Sequence, residues 1–132
     1  MKKIENLCIV DDDNVFQLLI RIIAEKTELV QRIEIFSNGK EAIEFLNSVR
    51  NHASDIPEMI LLDLNMPVMD GWEFLEEFAL LKPKLDKKIS IYIVSSSIDP
   101  TDIEKASNMK DVTDYVIKPV TREKLINLLN TL

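Results

Sequence analysis

The run Ile4-Glu5-Asn6-Leu7-Cys8-Ile9-Val10-Asp11-Asp12-Asp13 decides the fold: a short apolar strand stops on three carboxylates, and a helical pattern follows at once. From Asn14 to Thr27 the residues Phe16, Leu19, Ile20 and Ile23 recur at the i, i+3, i+4, i+7 spacing of one helix face. Outward from this unit the same alternation of strand and helix continues to the C-terminus. Ile33–Phe36 is a β-branched and aromatic strand, Ser37-Asn38-Gly39 a turn, and Lys40–Arg50 a second helix with Ala42, Ile43, Phe45, Leu46 and Val49. A polar stretch, Asn51–Glu58, carries the only histidine, His52, and leads into the apolar strand Met59-Ile60-Leu61-Leu62, which Asp63 stops.

Asp70-Gly71-Trp72-Glu73 has the D-x-x-E form of a capped helix start, and Pro83 sets its end near Leu81. Ile89–Val94 is a fourth strand, followed by Ser95-Ser96-Ser97. Asp99-Pro100-Thr101-Asp102 combines an N-cap with proline at the first helical position. The helix it starts is weak, because Ser107 and Asn108 sit in its body and few large apolar residues anchor it. Asp114–Ile117 is the fifth strand, and Thr121–Leu132 closes the chain as a helix with Leu125, Leu128, Leu129 and Leu132 on one face. Short apolar strands between amphipathic helices predict an α/β protein with a parallel sheet covered on both faces. Five such units under right-handed crossovers favour the flavodoxin-like (βα)5 three-layer sandwich with strand order 2-1-3-4-5.

The 132 residues predict one domain, with no output domain after the last helix. With 46% hydrophobic residues the chain is too apolar for a disordered protein. Its single cysteine, Cys8, excludes an internal disulfide framework and suits a reducing, cytoplasmic location. No signal peptide or membrane-spanning run is visible, so no membrane partner is expected. A net charge of −7 disfavours direct nucleic-acid binding. Glycine occurs only at Gly39 and Gly71, which excludes a glycine-rich phosphate loop. Any phosphate chemistry must be done without a backbone cradle.

In an open parallel sheet, ligands bind at the carboxyl ends of the strands. There the first strand delivers Asp11 and Asp12, the third Asp63, the fourth Ser95 and the fifth Lys118. Two carboxylates about 4 Å apart repel by about 4 kcal/mol at an effective dielectric near 20, so three together call for a cation. Oxygen-only ligands select a hard ion, Mg²⁺, with Mn²⁺ or Ca²⁺ as alternatives. Lys118 adds a positive point charge that a phosphoryl oxygen could use.

Four segments carry a resemblance. Ile9-Val10-Asp11-Asp12-Asp13, Leu61-Leu62-Asp63-Leu64-Asn65-Met66-Pro67, Met69-Asp70-Gly71 and Tyr115-Val116-Ile117-Lys118-Pro119 resemble, in order and in context, the signatures of response-regulator receiver domains. The closest type is the stand-alone one similar to chemotaxis response regulators. The resemblance implies phosphorylation of Asp63 by a partner histidine kinase or histidine phosphotransfer protein. Mg²⁺ would be held by the Asp12 and Asp63 side chains and the Asn65 backbone carbonyl, with Asp11 acting through water. Lys118 would contact the acyl phosphate and precede a cis Pro119, Ser95 would follow the phosphate, Tyr115 would change rotamer with it, and Gly71 would be structural. The switched surface would surround the fourth helix, fifth strand and fifth helix and bind an unidentified downstream protein. The family more often has threonine at the hydroxyl position, and the serine run leaves Ser95 and Ser96 both open. Ser95 is preferred because it directly follows the apolar strand.

Plainer readings exist for single residues. Asp13 reads as an N-cap, His52 as a surface residue, Cys8 as core, and Trp72 as packing or a partner anchor. Val15, Leu18 and Ile22 form a second apolar stripe on the first helix, either a wide buried face or a docking surface for a partner helix. Two other functions compete with the phospho-acceptor, which would catalyse only its own phosphorylation and slow dephosphorylation. An aspartyl phosphatase resembles D-x-D at the nucleophile, and Asn65 breaks that pattern. A phosphate-independent interaction module would not need Asp12, Asp63, Ser95 and Lys118 together.

Overall fold

A computed structural model describes residues 4–131. The elements in chain order are β1 (Ile4–Val10), α1 (Asn14–Thr27), β2 (Val30–Phe36), α2 (Gly39–Val49), β3 (Met59–Leu62), α3 (Gly71–Leu81), β4 (Ser90–Ser95), α4 (Pro100–Ser107), β5 (Val112–Ile117) and α5 (Arg122–Leu129). The strands form a parallel sheet in the order β2-β1-β3-β4-β5, the expected flavodoxin-like arrangement.

Strand alternation divides the core in two. On β1, Leu7 and Ile9 point to one face with Phe16, Ile20 and Ile23 of α1 and Leu125, Leu128 and Leu129 of α5. Cys8 and Val10 point to the other, with Ala42 and Leu46 of α2, Phe74 and Phe78 of α3, and Ala106 of α4. Burial pushes the Cys8 thiol well above its ordinary range, so it stays protonated and inert among core side chains.

Helix starts follow the sequence closely. The Asp13 carboxylate accepts from the Val15 and Phe16 amides, and Asp70 with Glu73 closes a reciprocal capping box. Asp99 caps α4, and Thr121 caps α5. Several boundaries differ. β2 begins at Val30 rather than Ile33, because main-chain pairing to β1 (Ile4 opposite Val30) carries it through the polar Gln31 and Arg32. β5 likewise begins at Val112, two residues before Asp114. α4 ends at Ser107, with Asn108 as its cap instead of in its body. α5 ends at Leu129, and Leu132 lies outside the described residues. Leu19, expected in the core, is 41% exposed, so the buried stripe of α1 is narrower than its periodicity implied. No helix among the described residues is long and apolar enough to cross a membrane.

Strand register sets the functional end of the sheet. Val10 pairs with Leu62 and Leu62 with Ile93, so the residues that follow each strand emerge side by side. Asp11 N donates to Phe36 O at 3.0 Å and Asp63 N to Val10 O at 2.9 Å, which fixes both backbones at that edge.

Candidate functional site

Asp11, Asp12 and Asp63 each bring a carboxylate oxygen within 4.8 Å of the others at the carboxyl ends of β1 and β3. The three are not equivalent. Asp11 is buried and fully engaged, its Oδ1 accepting from Asp13 N at 2.9 Å and its Oδ2 from Lys118 Nζ at 2.8 Å. The Gln17 amide donates to the Asp11 carbonyl and pins the loop from the helix side. Asp12 is exposed, with its carboxylate at the mouth of the cluster. Asp63 is buried, accepts from Leu64 N at 2.8 Å, and lies 3.9 Å from Lys118 Nζ.

The cluster carries more negative charge than its protein neighbours neutralise. Burial, and then the charge of Asp11, push the Asp63 carboxyl up to about 6, against the opposing pull of Lys118 and of the Leu64 and Asn65 amides. Burial raises Asp11 as well, although its hydrogen bond to Lys118 works the other way. Three convergent carboxylates with one lysine, and no imidazole or thiolate among them, are a donor set that fits a hard divalent cation.

Lys118 reaches the cluster because its own N–H donates to Ser95 O at 2.8 Å, which ties the end of β5 to the end of β4. The Lys118–Pro119 peptide is cis. The Lys118 ammonium also sits over the Phe16 ring, 4.5 Å from its centroid. Ser95 is fully buried, and its Oγ accepts from Ser97 N at 3.1 Å, whereas Ser96 is exposed. The Tyr115 hydroxyl donates to Ser97 O at 2.8 Å, and Ser97 Oγ donates to Asp102 Oδ2 at 2.7 Å. Ser97 therefore links the β4–α4 loop both to β5 and to the first turn of α4.

Asn65 is exposed on the loop after Asp63. That loop is pressed against the start of α3: Gly71 N donates to Leu64 O at 2.9 Å, and a Cβ on Gly71 would lie 2.4 Å from Asp63 O and 2.8 Å from Leu64 Cα. Only glycine permits this approach. Away from the cluster, Val15, Leu18 and Ile22 are 76%, 58% and 41% exposed, so their stripe is a surface rather than part of a wide buried face. Trp72 is half-buried against the core with the Lys105 ammonium of α4 over its ring at 4.4 Å, and His52 is exposed. Phe16 and Ser97 were not singled out by sequence reasoning. Phe16 reads only as a core position, and Ser97 is hidden in a run of three serines.

A family model for the response regulator receiver domain matches residues 7–130. The chain is 35% identical to a two-component response regulator from Cytophaga hutchinsonii, whose crystal structure aligns with a TM-score of 0.85 over 98% of this chain and 96% of that one. The phosphorylated cyanobacterial phytochrome response regulator RcpA aligns at 27% identity and a TM-score of 0.76, over 95% of this chain and 88% of that one. Among curated proteins, the probable methanogenesis regulatory protein FilR2 of Methanothrix harundinacea is 29% identical over 119 residues, 90% of this chain and 75% of that protein. Other curated relatives are longer, and the chain spans only 32% and 54% of the length of two of them.

Proposed function

The chain belongs to the response regulator receiver family, and from that membership we propose that it is a Mg²⁺-dependent switch in which Asp63 accepts a phosphoryl group from the phosphohistidine of a partner kinase or phosphotransfer protein. Receiver domains are signalling phospho-acceptors that take phosphate from histidine kinases and bind Mg²⁺ at an acidic site. The observation that carries the reading here is the meeting of Asp63 with Asp11, Asp12 and the Lys118 ammonium at one sheet edge.

A carboxylate and a phosphoryl dianion repel, and that repulsion is the barrier the site must remove. Mg²⁺, with Mn²⁺ as a substitute, would be held by the Asp12 and Asp63 carboxylates and the Asn65 carbonyl, and when bound it supplies charge neutralisation between nucleophile and phosphoryl oxygens. Asp11, with both oxygens already engaged, acts through water and holds Lys118 in place. An Asp63 oxygen forms the new bond to phosphorus while the bond to the donor atom breaks, and the leaving imidazole or acetate departs with that electron pair. Lys118 contacts the transferred phosphoryl oxygens.

The product adds charge beside Ser95. Its hydroxyl turns to donate to a phosphoryl oxygen and gives up the bond from Ser97 N, which moves the β4–α4 loop. The Tyr115 hydroxyl, bonded to that loop through Ser97 O, changes rotamer with it. The surface around α4, β5 and α5 is then remodelled for a downstream protein. Val15, Leu18 and Ile22, exposed on α1, the helix that follows the acidic run, dock the donor. Leu18→Asp should slow transfer from the cognate donor and leave phosphorylation by acetyl phosphate unchanged; equal losses with both would remove the docking role.

Incubation with acetyl phosphate and Mg²⁺, followed by intact-mass measurement, tests the whole reading. A phosphoryl adduct is expected on the native chain and absent from Asp63→Asn. No adduct with any donor at saturating Mg²⁺ would turn the assignment to a phosphate-independent interaction module.

A further inference from the structure

Among the described residues three groups face the Lys118 ammonium, and the proposed chemistry accounts for two of them, Asp11 at 2.8 Å and Asp63 at 3.9 Å. The third is the face of Phe16, with the ring centroid 4.5 Å from Nζ. The residue is held at both its backbone and its side chain. Its backbone amide donates to the Asp13 cap at 3.3 Å, directly after the acidic run, and its side chain is buried in the core beneath α1 and α5. It cannot swing away from the ammonium as a surface aromatic could. The Lys118 side chain is only 17% exposed, so much of the water that would solvate a lysine has been replaced by these three groups.

We propose that Phe16 is a positioning residue for phosphoryl transfer, its ring face holding the Lys118 ammonium on the Asp63 side of the site before the donor arrives. A lysine is a point charge on a flexible four-carbon stem, and a single hydrogen bond to Asp11 leaves it free to pivot outward. The negative face of an aromatic ring attracts the ammonium without capturing its N–H groups as a second carboxylate would. Nζ is thus oriented yet still able to turn its free protons to incoming phosphoryl oxygens, and orientation fixed in advance lowers the barrier to transfer. A leucine or methionine at this place would keep the position apolar but present no quadrupole.

The inference rests on the phospho-acceptor reading, and its test separates the two. Phe16 is replaced in the full chain by phenylalanines carrying one, two and three ring fluorines, which drain the ring face at nearly constant shape, and by Phe16→Tyr. Initial rates of phosphorylation by acetyl phosphate at saturating Mg²⁺ should fall stepwise along the fluorine series, reaching roughly three- to thirtyfold, while Tm stays constant. Phe16→Tyr should keep the rate within a factor of about two. A second readout needs neither metal nor donor: the Lys118 Cε protons should show an upfield ring-current shift that Phe16→Leu abolishes. Rates indifferent to fluorination in a chain that does form the adduct, or Lys118 resonances indifferent to Phe16→Leu, would overturn the positioning role alone. No adduct on the unsubstituted chain would remove the phospho-acceptor reading and this inference with it.

Discussion

Asp63 is both a member of the acidic cluster and a local cost to the fold. Its carboxyl is pushed up to about 6, first by burial and then by the charge of Asp11. Between the ordinary carboxylate value near 4 and that raised value, the native state binds more protons than the unfolded chain, so stability falls as pH rises through this window. Asp11 is shifted in the same direction and adds to the trend. Asp63→Asn removes the charge and keeps the shape. Without divalent cations, the variant should melt several degrees above the native chain at pH 7, and the difference should shrink toward zero as pH approaches 4; scanning calorimetry across that range checks it. Gly71 acts on the same residue from below. A methyl group there would meet Asp63 O at 2.4 Å, backbone that cannot yield without moving Asp63. Gly71→Ala should cost about 1–3 kcal/mol in urea unfolding, and it should slow adduct formation because the displaced atoms belong to Asp63.

Among the α-helices, α4 buries the fewest residues. It is eight residues long and buries only Ala106, whereas α3 buries Gly71, Phe74, Leu75, Phe78 and Leu81. Polar tethers hold α4 instead: the Asp99 cap, the Ser97–Asp102 hydrogen bond, and Lys105 over Trp72. Each of these exchanges readily with water, so local opening should be easiest here. Amide hydrogen exchange should be faster in Ile103–Ser107 than in the middle of α1 or α3. Asp102→Ala should speed it further without altering α3. This weakness was legible in the sequence because its physical basis is local: few large apolar residues in a short helix that ends on Ser107. Helix starts were legible for the same reason, since Asp13, Asp70 and Asp99 cap amides two or three residues away. The acids, Ser95 and Lys118 could be placed at one edge because parallel strands bring their carboxyl ends together. The beginnings of β2 and β5 could not be read, because ladder pairing with a neighbouring strand, not side-chain pattern, carries them through Gln31, Arg32 and Thr113. Nor could the Phe16–Lys118 contact, which joins the first helix to the end of the last strand and leaves no local signal.

For the molecule as a whole, the net charge of −7 takes a specific meaning from where three of its acids lie. The fold brings Asp11, Asp12 and Asp63 together, with Lys118 paired to Asp11 and Asp63 among the described residues, and so stores repulsion that a divalent cation would relieve. A ligand that binds only the native state raises stability by about 2.7 kcal/mol when present at 100 times its Kd. Mg²⁺ should therefore raise Tm by several degrees at pH 7.5. The ligand oxygens must be deprotonated to bind, and Asp63 holds its proton up to about 6, so protons compete with the metal below that value. At pH 5 the same Mg²⁺ concentration should give a much smaller gain. Asp63→Asn should lose most of the gain at pH 7.5 while starting from a higher Tm in the metal-free state, so the two melting curves approach or cross as Mg²⁺ is added. That convergence separates a metal site from general screening of an acidic surface, because screening by monovalent salt would raise both proteins alike and would not depend on Asp63. Melting curves in Mg²⁺ and in NaCl of matched ionic strength, at both pH values, decide it; equal gains from the two salts would remove the metal site.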